Sequence, residues 1–200
     1  MKKLVLIFFT IMNLTLFAQS TESIKDISQE LKKQSKIDTS DKTIYDLLTV
    51  FYEKNLQADQ EEMTPEDIQQ IEKLISDPNT KNLHILMLFL MYQKHISQTA
   101  AVGKEPDSKF QIDTMDILER ETKEIFGKIP AIIYIYKAEA LESNHQKDVS
   151  QNTVAEGLKE YPDSIPLKVY SYINTHDSTI KDDLIKNHSK HWMVQQFGIK

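Results

Sequence analysis

Residues 131–162 limit the fold of this chain more than any other segment. Two stretches within them carry apolar or small residues three or four positions apart, which is the period of one helix face, and a proline ends the second stretch. The small residues allow the two helices to pack closely. The pattern predicts a helix–turn–helix hairpin. The residues that form this pattern are Tyr134, Ala138, Leu141, Val154, Gly157 and Pro162.

Composition and apolar spacing predict helices over most of the remaining chain. The 200 residues include only four glycines, below the usual share of roughly 7%, and no Asn-Gly or Asp-Gly hairpin turn. A polar stretch at 97–108 is expected to form the longest loop. Helices are predicted over residues 21–34, 43–56, 65–76, 82–96, 109–126, 131–143, 148–160, 166–173 and 178–196.

An internal repeat favours a hairpin architecture, since residues 129–136 and 165–172 both begin with Ile-Pro and carry tyrosines at matching positions. Residues 131–162 resemble a tetratricopeptide repeat, although Lys137 stands where that family prefers an aliphatic residue. The resemblance implies an all-α fold of stacked antiparallel helical hairpins, a tetratricopeptide-like α-solenoid. An irregular helical bundle has the same periodicity and is the alternative.

The first 18 residues have the features of a secretory signal peptide: two lysines, an apolar run at 4–9 and a small residue, Ala18, before Gln19. An uncleaved anchor is the alternative, but the run is shorter than the roughly 20 residues of a membrane span. The start and Gln19 are similar to exported proteins of the Bacteroidetes. We therefore expect a periplasmic or secreted protein with no stable membrane anchor after cleavage.

The domain organisation follows from this assignment: a signal peptide at 1–18, a polar segment at 19–42 and a single α-helical domain at 43–200. Without the two signal lysines, the 24 basic residues become 22 against 30 acidic ones, a net charge of about −8. Such a charge argues against nucleic acid and anionic membranes as partners, because both attract basic surfaces. No cysteine is available for a disulfide or a lipid anchor.

Motifs that indicate catalysis are absent from the sequence. There is no Gly-x-Ser-x-Gly elbow, no Gly-rich phosphate loop and no His-Glu-x-x-His pair, so we predict no enzyme activity, no cofactor and no metal site. His188 and His191 are three residues apart on a predicted helix, but a third ligand at a suitable spacing is missing. His84 lies in an apolar run and is expected to be a core or boundary histidine. Tyrosines 134, 136, 170 and 172 are either helix packing or an aromatic ligand platform.

The resemblance also implies where a partner binds. In the tetratricopeptide family the first helix of each hairpin lines the groove, which assigns Ile132, Ile135, Glu139 and Glu142 to partner binding. The predicted function is therefore a non-enzymatic scaffold for a peptide or protein partner. The alternatives are a non-repeat helical inhibitor or interaction protein and, with less support, a small metal-dependent hydrolase.

The signal-peptide assignment predicts that the mature protein begins at Gln19. The measurement is the intact mass of the protein purified from a native host. Recovery of a soluble protein that retains residues 1–18 would contradict the assignment.

Overall fold

The computed structural model describes residues 23–58 and 63–200, and its regular elements in these ranges are all helical, with no strand. The predicted signal peptide at 1–18 lies outside the described residues. None of the described helices is long and apolar enough to cross a membrane. The elements are α1 (Ile24–Gln34), α2 (Thr43–Tyr52) with a π-helical extension (Glu53–Gln57), α3 (Pro65–Ser76), α4 (Leu83–Ala101), α5 (Ser108–Phe126), α6 (Ala131–Ser143), α7 (Lys147–Glu160), α8 (Ile165–Thr175), α9 (Ser178–His188) and α10 (Trp192–Gln196).

Local capping explains why several helices begin where the sequence predicts. Thr64 caps α3, because its hydroxyl accepts the backbone N–H of Asp67 and the Asp67 carboxylate accepts the N–H of Thr64. Ser23 and Asp26 form the same reciprocal pair at the start of α1. These two pairs satisfy backbone donors that have no partner within the helix.

Two predicted bounds are wrong. α4 continues to Ala101, which shortens the loop predicted at 97–108 to the residues between Ala101 and Ser108; the ring of His95 accepts the backbone N–H of Asp107 at 3.0 Å and so holds this short loop against α4. The helix predicted over 178–196 is broken into α9 and α10. At the break, His191 caps α10, and its Nδ1 accepts the backbone N–H of Met193.

His191 also ties the C-terminal region to the π-helical extension. Its side chain is buried, and its Nε2 donates to the carbonyl oxygens of Leu56 at 3.0 Å and Gln57 at 3.1 Å. Because Nδ1 accepts while Nε2 donates, both nitrogens of the neutral ring are used. The contact joins positions that are far apart in the chain and stabilises the end of the fold.

The helices from α4 to α9 pack on their neighbours in chain order, so α6 lies between α5 and α7, and α8 lies between α7 and α9. α1 packs against α4 and α5, α2 packs against α6 and α4, and α10 covers α8 and α9. α1 buries Ile24 and Ile27. The segment predicted as polar at 19–42 therefore contributes a helix to the packed fold.

Helices α6, α7 and α8 approach one another closely at Gly157. A Cβ atom at Gly157 would lie 3.0 Å from both Leu167 Cδ1 and Tyr134 Cγ. Ala138 is 1% exposed, and the Ser150 hydroxyl donates to its carbonyl at 3.0 Å. The predicted contact through small residues is confirmed.

Lys137 departs from the aliphatic pattern because it faces charged residues of α5. Its ammonium lies 2.8 Å from Asp116 Oδ1 and 2.5 Å from Glu119 Oε2. The stem of the lysine packs at the helix contact while its charge is paired at the edge. The departure from the family pattern is thus accommodated by an ion pair between neighbouring helices.

We predict that Gly157→Leu destabilises the protein by about 1–3 kcal/mol, because the added side chain overlaps Tyr134 and Leu167. Ala155→Leu, on the exposed side of the same helix, is the matched control and should change the free energy of unfolding by less than about 0.5 kcal/mol. Urea denaturation measures both. Equal stability of the two variants would rule out the close contact.

Candidate functional site

Helix α6 contacts both α4 and α8 through side chains. The ring of Tyr136 on α6 stacks on Tyr92 and Phe89 of α4, with centroid distances of 5.3 and 6.3 Å. The Tyr170 hydroxyl on α8 donates a hydrogen bond to Glu139 Oε1 on α6. In the predicted hairpins α4, α6 and α8 would be the first helices, so we call this group the first-helix face. It consists of the buried Tyr92 and of three partly exposed residues, Tyr136, Glu139 and Tyr170.

The structure places the four predicted partner-binding residues in different environments. Ile132 and Ile135 are 0% exposed. α2 packs against α6 and α4, and its apolar side chains share one core cluster with both isoleucines. The assignment of Ile132 and Ile135 to an open groove is therefore corrected: these two residues belong to the core. Glu139 is half-buried and Glu142 is exposed, so only this pair reaches the surface.

Glu139 is the acidic group of the first-helix face. Burial raises the pKa of its carboxyl above the usual value, and the hydrogen bond from Tyr170 opposes that shift. No lysine, arginine or histidine forms an ion pair with Glu139 within the described residues. The carboxylate is therefore held next to aromatic rings without a compensating positive charge.

The tyrosines around Glu139 stay neutral. Burial raises the pKa of Tyr92, Tyr136 and Tyr170, and the nearby Glu139 carboxylate raises each of them further. Their phenols therefore act as hydrogen-bond donors and ring surfaces. This arrangement suits recognition of a cation or a hydrogen-bond donor, and it offers no activated nucleophile.

A second group of titratable residues lies beneath α1. His84 Nε2 lies 3.4 Å from Glu121 Oε2, and the Lys32 ammonium lies 2.6 Å from the same oxygen. His84 and Glu121 are both buried, and the imidazole nitrogens of His84 have no hydrogen-bond partner. No open surface reaches this pair, so a substrate cannot contact it in this conformation. His84 is a core residue, as the sequence predicts.

His188 and His191, the histidine pair near the C-terminus, lie in different environments. His191 is buried and fully hydrogen-bonded, while His188 is partly exposed at the edge of a cleft of about 500 Å³. The cleft is lined by Gln57, Ala58, Ile165 and residues 186–191. Within the described ranges, no three His, Asp or Glu side chains are arranged to hold a metal ion.

Comparison of the chain with protein-family models, curated proteins and solved structures finds no match. The functional residues therefore have to be identified from the geometry of this chain. Of these, Tyr92 and the contact between Glu139 and Tyr170 were not predicted. The spacing of Tyr136 and Glu139, three positions apart on α6, is the sequence signal that places a ring and a carboxylate side by side.

The buried His84 makes stability depend on pH. Burial lowers the pKa of His84 below its usual 6.5, with the Glu121 carboxylate opposing the shift and Lys32 adding to it. The unfolded chain therefore binds a proton that the folded chain resists, and stability falls as pH falls through 6.5. His95 acts in the same direction, since burial lowers its pKa too.

We predict that His84→Gln, which removes the titratable ring but keeps a polar side chain near Glu121, loses less stability than the wild type between about pH 7 and about pH 5. His188→Gln, at a partly exposed position, is the control and should follow the wild type. Chemical denaturation at each pH gives the comparison. An identical slope for wild type and His84→Gln would contradict the prediction.

Proposed function

We propose that the protein is a non-enzymatic helical scaffold that binds a peptide or protein partner through the first-helix face. The observation that carries this proposal is the half-buried Glu139, which lies among tyrosines of three helices without a positively charged neighbour in the described chain. Half-buried rings with a polar group at their edge are typical of protein-binding surfaces. The signal-peptide features of residues 1–18 support a periplasmic or secreted location for this scaffold.

A hairpin stack is the architecture that we propose for the scaffold. Two features support it: each helix from α4 to α9 packs on the next, and the first helices of successive hairpins contact one another. In such a stack the first helices form a continuous surface that an extended ligand can follow. α2 covers the part of this surface above Ile132 and Ile135, so we place the partner at the opposite end of α6, where Glu139 and Glu142 lie.

The metal-dependent hydrolase is less well supported. The described acidic and imidazole groups that come within contact distance, His84 and Glu121, lie in the core and are shielded from solvent. General acid–base catalysis requires the group to reach the proton that it transfers. Binding, in contrast, requires only the half-buried Glu139, the exposed Glu142 and the rings near them.

The proposal predicts that reversing the charge of Glu139 and Glu142 reduces peptide binding. We would select linear peptides from a random display library on the wild-type protein and compare their affinity for the double variant Glu139→Lys, Glu142→Lys. Affinity should fall by about tenfold or more, because peptides selected next to two carboxylates are expected to be basic and the introduced lysines repel them. Circular dichroism would establish that the variant retains its fold.

The matched control is Glu156→Lys combined with Asp182→Lys, which makes the same change in net charge on exposed positions of the second helices α7 and α9. It should bind like the wild type. Full binding by the Glu139 and Glu142 variant, or an equal loss in the control, would remove the first-helix face as the binding surface.

A further inference from the structure

We propose that Glu139 is the recognition site for a single cationic side chain, lysine or arginine, which enters the first-helix face between Tyr136 and Tyr170. This inference deepens the proposed function, on which it rests for the identity of the natural ligand. It specifies the chemistry of the residue that the face selects.

The charge of Glu139 has no counterion in the described chain. Its Oε1 accepts a hydrogen bond from Tyr170, and no ion pair with a lysine, arginine or histidine involves its carboxylate. Two other partly buried carboxylates have such a partner: Asp67 is paired with Lys54, and Asp183 is paired with Lys168, each at 2.6 Å. Glu139 therefore has no cationic side chain paired with it in the described chain, and a ligand that supplies an ammonium or guanidinium group would compensate its charge.

Tyrosine rings lie close to the Glu139 carboxylate. Tyr136 and Tyr170 are both partly exposed; Tyr136 lies about one turn before Glu139 on α6, and Tyr170 donates to Glu139 from α8. A planar guanidinium that bonds to Glu139 would lie near a tyrosine ring, where the ring's quadrupole adds a cation–π attraction. Arginine suits such a site better than lysine, because it stacks on rings and donates several hydrogen bonds in one plane.

An exposed apolar ring lies next to Tyr170. Phe197 is 43% exposed, and its ring packs edge-on against Tyr170 with a centroid distance of 6.2 Å. The proposed site therefore extends from the Glu139 carboxylate, past Tyr170, to the exposed ring of Phe197. A ligand that fits this sequence of groups carries a cationic residue next to an apolar one.

The decisive experiment uses small probes and needs no natural partner. N-acetyl-argininamide is titrated into isotope-labelled protein, and amide shifts are followed by nuclear magnetic resonance. The uncharged isostere N-acetyl-citrullinamide is the probe control. The arginine probe should cause saturable shifts centred on Tyr136, Glu139 and Tyr170, and the citrulline probe should cause none there.

Two variants separate the site from general acidity. Glu139→Gln keeps the size of the side chain and an acceptor for Tyr170, and it should weaken arginine binding by about tenfold, since a charge-assisted hydrogen bond is lost. Glu156→Gln, which removes an exposed charge on α7 away from this face, should change it by less than about twofold. Thermal unfolding would check that both variants are folded.

The outcomes distinguish this inference from the proposed function. Equal shifts from arginine and citrulline, or equal losses in the two variants, would overturn the inference even if selected peptides bind the face. Arginine binding that depends on Glu139, together with a failure of all peptides to bind, would support the inference and contradict the proposed scaffold function.

Discussion

The burial of α6 is the constraint on which the rest of the structure depends. Its residues from Ala131 to Ile135 are all buried, because α5 and α7 pack on two of its sides and α2 packs on a third. Close contact with α7 and α8 requires a residue without a side chain at position 157, since a Cβ there would press on Tyr134 and Leu167. Interiors at this packing density leave little room for larger side chains. The positions of α7 and α8, and hence of Tyr170, follow from this contact.

The same packing separates the four residues of α6 that the sequence assigned to partner binding into two pairs. α2 covers Ile132 and Ile135, which are buried, whereas Glu139 and Glu142, nearer the end of α6, reach the surface. Tyr170 then orients the Glu139 carboxylate through a hydrogen bond from α8. A rigid core thus positions one half-buried acidic group at an open edge. This is the physical basis of the binding role that we propose.

Local features of the sequence predicted much of the fold. The start of α3 follows from the capping pair of Thr64 and Asp67 and from Pro65, and the start of α6 follows from Pro130 and the apolar spacing that comes next. Gly157 was identified as a contact because a small residue recurred on the period of a helix face. Each of these signals depends on residues a few positions apart.

Contacts between distant parts of the chain were not predictable in this way. The burial of Ile132 and Ile135 depends on where α2 docks, and helix periodicity cannot give the position of another helix. His191 was predicted to lie within a helix over 178–196, yet its ring bonds to carbonyls of the π-helical extension, and the helix is broken before it. The hydrogen bond between Tyr170 and Glu139 joins two helices that are separated in sequence by α7.

The difference in solvent exposure between the buried and the surface residues of α6 can be measured directly. Because the chain contains no cysteine, a single introduced thiol reports its own exposure. The measurement is the rate of maleimide labelling of Ile135→Cys and of Glu142→Cys under native conditions. The account predicts that the thiol at position 142 reacts at least about a hundredfold faster, since position 135 becomes accessible only when the core opens. Similar rates at the two positions, with both proteins folded, would show that α2 does not cover the face and would contradict this account.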